Sequence, residues 1–177
     1  ASTAAFRNDI VVRGGGPSEN RFFLDGVEIP NINHFSTQGA SGGPVGIINP
    51  DFIREVNFYA AAFPAARGNA LSSVLDFKLQ DGNQEKSSAR AVVGASEVAF
   101  SSNGPLGKKT TYLVSVRRSY LQFLFKAIGL PFLPTYTDAQ FKIKHQIDKQ
   151  NEISFIGLGA LDDMKLNTGM KDMSDEN

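Results

Sequence analysis

Few residues in this chain could do covalent chemistry, and their spacing argues against it. Ser41 lies in Gly39-Ala40-Ser41-Gly42-Gly43-Pro44, which matches the nucleophile motif G-D-S-G-G-P except that Ala40 replaces the acid. A triad also needs a base and a group that orients it in space, and His34 stands only seven positions before Ser41. A mobile glycine loop accounts for that run better than catalysis. The two histidines, His34 and His145, are far apart, and with no cysteine a zinc-type donor set is not expected. Gly14-Gly15-Gly16 lacks the spacing of a dinucleotide loop. Asp162-Asp163 and the acidic run from Asp172 to Glu176 read as solvated polar tail rather than a cation site. No enzyme, cofactor or metal is therefore expected. Among the charged groups that remain, the adjacent cations Arg117 and Arg118 stand in a strand-like run and must point to opposite faces.

These groups must be positioned by 177 residues with 18 basic and 18 acidic side chains. That balance leaves no global field to favour nucleic acid. Hydrophobic content is 41%, yet no run reaches the ~20 apolar residues of a spanning helix. No basic-then-apolar leader opens the chain.

The chain changes character near residue 84. Before it, short β runs alternate with glycine-rich loops: Ile10 to Arg13, a hairpin of Arg21–Leu24 and Val27–Ile29 around Asp25-Gly26, a helical turn at Asn49-Pro50-Asp51, and strands at Ile53–Tyr59 and Ser73–Leu79. Asp-Gly is a strong type I′ signal, because both central residues need positive φ. After the polar linker Gln84–Ser87 the pattern becomes one of bare hairpins. Strands are expected at Arg90–Ser96 and Glu97–Ser102, as two short strands or one long bent one, and at Thr110–Tyr120, Ala139–Asp148 and Glu152–Leu161. Turn chemistry is expected at Asn103–Lys109, a short helix at Leu121–Ile128 capped by Gly129, a loop enforced by Pro131 and Pro134, and a polar tail from Asp162.

Alternation in the second half is apolar against polar. Phe141, Ile143, His145 and Ile147 share one face, and Gln140, Lys142, Lys144, Gln146 and Asp148 share the other. A sheet with one oily face and no second layer to cover it suits a membrane β-barrel whose polar side faces a wet or plugged lumen. Periodicity alone leaves open an ordinary soluble sheet packed on one side.

The first half carries an ordered set of motifs: Asp9-Ile10-Val11-Val12-Arg13-Gly14-Gly15, Asn20-Arg21-Phe22-Phe23-Leu24-Asp25-Gly26-Val27-Glu28-Ile29-Pro30, Ile53-Arg54-Glu55-Val56, Phe63-Pro64-Ala65-Ala66-Arg67-Gly68-Asn69 and Ser73-Val74-Leu75-Asp76. In this order and spacing they resemble the plug domain of TonB-dependent outer-membrane receptors. Gly104-Pro105-Leu106, Lys108-Lys109-Thr110 and Val116-Arg117-Arg118-Ser119-Tyr120 look like the first barrel strands of Bacteroidetes-type members. Tyr59-Ala60-Ala61-Ala62 departs from the family, which often carries Gly, or Arg-Gly-Pro, there.

The resemblance implies a mainly β fold with short helices: an α+β plug (residues 1–83), a linker (84–87) and the start of a transmembrane antiparallel β-barrel (88–177). A 22-stranded plugged barrel needs roughly 200 strand residues before its turns are counted, so the chain reads as a fragment of such a receptor. The implied function is binding of an extracellular nutrient and its TonB-powered import at the outer membrane. The implied partners are the TonB system, membrane lipid and, in some members, a surface lipoprotein. The cargo is not legible. Ligand contact is implied for Pro17, Ser18, Glu19, His34 and Phe35, and plug–barrel docking for Arg117 and Arg118. Phe141, Ile143, Ile147, Ile153 and Phe155 are expected to face lipid. The alternative is a soluble β-rich binding or adhesive module.

Overall fold

A computed structural model describes residues 9–36, 42–43, 45–60 and 62–167. The chain divides into two compact units, residues 1–81 and 82–177.

The first unit is built on four strands, β1 (Asn20–Leu24), β2 (Val27–Ile29), β3 (Ile53–Ala60) and β4 (Ser73–Leu79), in the spatial order β2-β1-β4-β3. β1 and β4 run parallel, and the other two pairs are antiparallel. Phe22, Phe23, Leu24, Ile47, Ile48, Phe52, Val74, Phe77 and Leu79 form the buried core. The β1–β2 turn is the expected one, with Asp25 at φ 47 and Gly26 at φ 90. Asp25 also ties the turn to β4: its N–H donates to the Phe77 carbonyl at 2.8 Å, and its Oδ1 accepts from the Leu79 N–H at 2.9 Å. Asp25→Ala should therefore lower the unit's unfolding free energy by about 1–3 kcal/mol, the usual cost of orphaning a buried donor. Asp25→Asn, which keeps the acceptor, should recover most of the loss in a denaturant titration.

Asn49 caps the single turn Pro50–Phe52 by accepting the Asp51 N–H at 2.9 Å. The run at Ile10–Arg13 forms no strand, only a bridge between Val12 and Gly15. The loop before β4 is strapped down by Arg67. Its guanidinium reaches Asp76 at 2.7 and 3.1 Å and lies 4.7 Å from the centre of the Phe23 ring.

The second unit is an antiparallel meander of five strands in sequence order: β5 (Ser88–Val93), β6 (Glu97–Gly107), β7 (Thr110–Ser119), β8 (Phe132–Gln146) and β9 (Glu152–Leu166). Among the described residues the sheet is open, with β5 and β9 at its edges. One helix, α1 (Leu121–Ala127), joins β7 to β8. It ends as expected at Gly129, φ 70, with the Leu130 N–H donating to the Phe125 carbonyl and the Gly129 N–H to Lys126.

The strand expected at Arg90–Ser96 is β5, which starts at Ser88 and ends at Val93, and three further expectations need correction. β6 runs through Asn103-Gly104-Pro105 and turns only at Lys108-Lys109. Gly104 is required because a Cβ there would lie 2.5 Å from Ser87 Oγ, and Pro105 adjoins a bulge. β8 starts at Phe132 and includes Pro134, since β7 ends its pairing at Arg118↔Thr137 and no ladder bond is asked of that proline on the β7 side. β9 continues past Leu161 to Leu166 because residues 162–166 pair with β8.

The β8–β9 turn is held by one carboxylate. Asp148 Oδ1 accepts the N–H groups of Gln150 and Asn151, each at 2.8 Å, and the Asn151 amide donates to both carboxylate oxygens at 3.0 and 2.9 Å. Chiefly the Asn151 side chain, then these backbone donors, hold the Asp148 carboxyl below its ordinary range. A depressed carboxyl favours the folded turn above its unfolded pKa, and that contribution is lost as pH falls through the lower folded value. Amide exchange at Gln150 and Asn151 should accordingly accelerate below about pH 4, beyond the intrinsic rate change. Asp148→Ala should show the fast rate at every pH.

Candidate ligand cleft and polar wall

In the first unit the loop after β-like residue Val12 makes a tight turn. Arg13 (φ 51) and Gly14 (φ 81) occupy its two left-handed positions, and the Gly15 N–H closes it on the Val12 carbonyl at 2.9 Å. The turn leads into the short 3-10 turn Pro17–Glu19 and then β1. Asn20 fixes this entry: its buried amide donates to the carbonyls of Ile10 (2.6 Å) and Pro17 (3.2 Å) and its oxygen accepts from Ser73 Oγ (2.6 Å).

A cleft of about 300 Å³ opens there, lined by Val12, Arg13, Gly14, Gly15, Glu19, Leu71 and Ser72. Its back is held by the Leu71 and Ser72 N–H groups, both 3.2 Å from the Glu19 carbonyl, and by Ser72 Oγ donating to Val12 at 2.7 Å. A side chain at Gly15 would meet Ser72 Oγ at 2.5 Å and Glu19 Oε2 at 2.7 Å, so glycine keeps the cleft open. It presents an exposed cation, Arg13, and a half-buried carboxylate, Glu19. That pair can bind a small polar molecule.

Of the residues chosen from sequence, Glu19 lines this cleft, while Ser18 is exposed and Pro17 half-buried beside it. His34 is fully buried, its N–H donating to the Val45 carbonyl at 2.7 Å, and its carbonyl blocks any side chain at Gly43. Phe35 is half-buried at φ 56 with its ring 6.2 Å from that of His34. Neither His34 nor Phe35 lines the cleft. Sequence reasoning missed Arg13, Leu71 and Ser72. Arg13-Gly14 could have been found as a turn dipeptide, but the approach of Ser72 spans about sixty positions and has no local signal. Ser41 of the nucleophile-like motif lies outside the described residues.

The second unit sorts its residues by face with strict alternation. On one face Thr111, Ser115, Arg117 and Ser119 of β7 and Asp138, Gln140 and Lys142 of β8 are all buried, accompanied by Leu113 and Tyr136. On the other, Val98, Phe100, Val116, Phe141, Ile153, Phe155 and Leu161 are exposed, Phe155 at 60%. This is the reverse of a sheet folded for water, which buries its apolar side. Several of the buried polar groups pair with one another or with the strand beside them. Arg117, 6% exposed, grips Asp138, 2% exposed, through two bonds of 3.0 and 2.9 Å. The Tyr136 hydroxyl donates to Glu97 across the intervening Ser119, whose Oγ accepts the Tyr136 N–H at 2.8 Å. Arg118 lies on the opposite face and bonds Thr137 Oγ1 at 2.7 Å. The two cations singled out from sequence thus serve different faces.

No family model and no curated protein matches the chain. Among solved structures it is similar to the siderophore receptor PirA from Acinetobacter baumannii, with a TM-score of 0.60 and 14% identity over 86% of this chain and 25% of that chain. The likeness is one of fold, and the chain spans about a quarter of that receptor's length.

Proposed function

We propose that this chain is part of a TonB-dependent outer-membrane receptor of the Bacteroidetes type: residues 1–83 the later part of the plug, residues 88 onward the first strands of the barrel. The carrying observation is the inverted sheet of the second unit. An exposed apolar face of Phe, Val and Ile opposite a buried polar one is unfavourable in water and favourable when lipid covers the first and a hydrated lumen adjoins the second. Its dimensions fit. Between Ile153 and Leu161 the outward face of β9 is Ile, Phe, Gly, Gly and Leu, and Asp163 and Lys165 follow. Eight residue steps span about 26 Å along the strand, or roughly 20 Å of height at the usual tilt, near the ~25 Å apolar band of such barrels. The fold likeness to a siderophore receptor supports the same class.

On this reading the Arg13–Glu19 cleft contacts the incoming nutrient, with Ser18 and Pro17 at its edge, and the complete receptor works with the TonB system and, in glycan or peptide importers, with a surface lipoprotein. Arg117 and Arg118 are the positions proposed for docking between plug and barrel, Arg117 through a guanidinium already oriented by Asp138. The test is a binding screen on outer-membrane vesicles from cells making the full-length protein, using ferric siderophores, cobalamin, haem, oligosaccharides and peptides as probes. One class should bind saturably, and Arg13→Ala or Glu19→Ala should weaken it at least tenfold with barrel insertion unchanged. Absence of saturable binding for every class would sink the nutrient reading.

A further inference from the structure

The chain between β4 and β5 has the composition of a free linker, Gln80-Asp81-Gly82-Asn83-Gln84-Glu85-Lys86-Ser87, yet it is fastened at both ends. Gln80 belongs to the first unit: its N–H donates to the Phe52 carbonyl at 2.8 Å, and its side-chain amide donates to the Asp51 carbonyl at 2.7 Å. Gly82 belongs to the second. It is buried against β7, so close to the Tyr112 backbone that a Cβ would overlap the Tyr112 carbonyl oxygen. Only Asp81 stands between these two attachments. Further along, Ser87 packs against Gly104 of β6, the residue paired with Tyr112, so one row of the sheet admits the segment twice. Asn83 folds the segment back on itself, its Oδ1 accepting the N–H groups of Glu85 at 2.7 Å and Lys86 at 3.0 Å. Asn103 of β6 bridges its two ends: Oδ1 accepts the Asn83 N–H at 3.4 Å, and the amide donates to Ser88 Oγ at 2.8 Å.

These contacts protect a weak point. β5 follows directly at Ser88, is the shortest strand of its sheet, and among the described residues pairs only with β6. A displacement of the first unit carried through a slack linker would reach β5 at its end and peel it from β6 one pair at a time. A glycine inside a strand weakens it, and what Gly104 gives in return is room for Ser87. Proteins open in cooperative units bounded by their contacts, and the contacts of residues 82–88 set out above lie on β6 and β7. We propose that residues 82–88 are a clasp that makes the junction part of the barrel wall, so that opening of the first unit ends at Asp81 and leaves β5 in place; this rests on the receptor reading above. Gly82 and Gly104 admit the clasp, and Asn103 holds it shut.

The test uses the full-length receptor in lipid nanodiscs, with any cysteines of its own replaced, and pairs of nitroxide labels at the exposed positions Glu28, Gln84, Lys108 and Lys149. Electron–electron distance measurements on the pair 28–108 follow the first unit, 84–108 the clasp, and 108–149 the sheet alone. As urea rises, the 28–108 distribution should broaden first. The 84–108 distribution should stay narrow and broaden only with 108–149, at a midpoint higher by about 1 M or more. Asn103→Ala should bring the 84–108 midpoint down to that of 28–108 and leave 108–149 where it was. Three results overturn the clasp and leave the receptor reading intact: an 84–108 distribution already broad without urea, its broadening together with 28–108 in the parent, or one common transition for all three pairs. An unchanged 84–108 midpoint in Asn103→Ala overturns the part given to Asn103. Failure of the receptor to insert overturns the receptor reading, and the clasp then has no barrel wall to protect.

Discussion

Phe141→Arg should lower the stability of the sheet in a bilayer by about 2–4 kcal/mol, the known cost of a cation on the lipid side of a barrel near the midplane. Phe141 lies centrally on the exposed face, between Ala139 and Ile143, and its ring covers Gly157 of the neighbouring strand so closely that no side chain would fit there. It is 42% exposed, so in a soluble sheet the same change would fall within the ordinary range of about ±0.5 kcal/mol for surface substitutions. Reversible unfolding of the full-length receptor by denaturant in vesicles of short-chain phosphatidylcholine separates the two outcomes. Arginine at Thr135, beyond the belt on the same face, should cost about 0–1 kcal/mol and serves as the control for added charge.

Asp138→Ala should cost about 3–5 kcal/mol, because it strands the buried Arg117 guanidinium without its partner. The pair is bidentate and both side chains are almost wholly enclosed, at 8% and 1% exposure. Removing both together, as Arg117→Met/Asp138→Leu, should cost far less than the sum of the single changes, since a buried pair loses much of its attraction to desolvation. A double-mutant cycle measures this coupling directly. The same cycle bears on docking. If Arg117 also holds the plug in the full-length receptor, Arg117→Ala should raise the rate at which the plug is extracted under force, whereas a purely local role predicts no change once the double variant restores stability.

Much of the architecture could be read from local signals. Asp25-Gly26 fixed the first hairpin because few dipeptides tolerate two positive φ values, and Gly129 marked the end of α1 for the same reason. Alternation at 139–147 separated the two faces correctly, Phe141 and Ile143 on one and Gln140 and Lys142 on the other, because a strand's period of two leaves no third choice. What escaped depended on partners distant in sequence. Asn103-Gly104-Pro105 has turn composition, yet Gly104 is there to admit Ser87. Pro134 looks like a strand breaker but sits where β8 has outrun β7. His34 resembles an exposed loop ligand, while the fold encloses it completely. Arg117 was visible as a cation on one face, but its partner Asp138 depends on a β7–β8 register set across an intervening helix. The cleft needed Ser72 beside Gly15, a meeting no local pattern announces.

The central claim is that lipid covers the apolar face of the second unit. The chain contains no tryptophan, so single tryptophans can be placed at successive positions 139 to 143 of β8 and at 153 to 156 of β9, each in the full-length receptor reconstituted into vesicles of brominated phosphatidylcholine, with the parent receptor's own quenching subtracted. The account predicts quenching with a period of two: strong at 139, 141, 143, 153 and 155, weak at 140, 142, 154 and 156. Uniformly weak quenching, or strong quenching at the even positions, would contradict it.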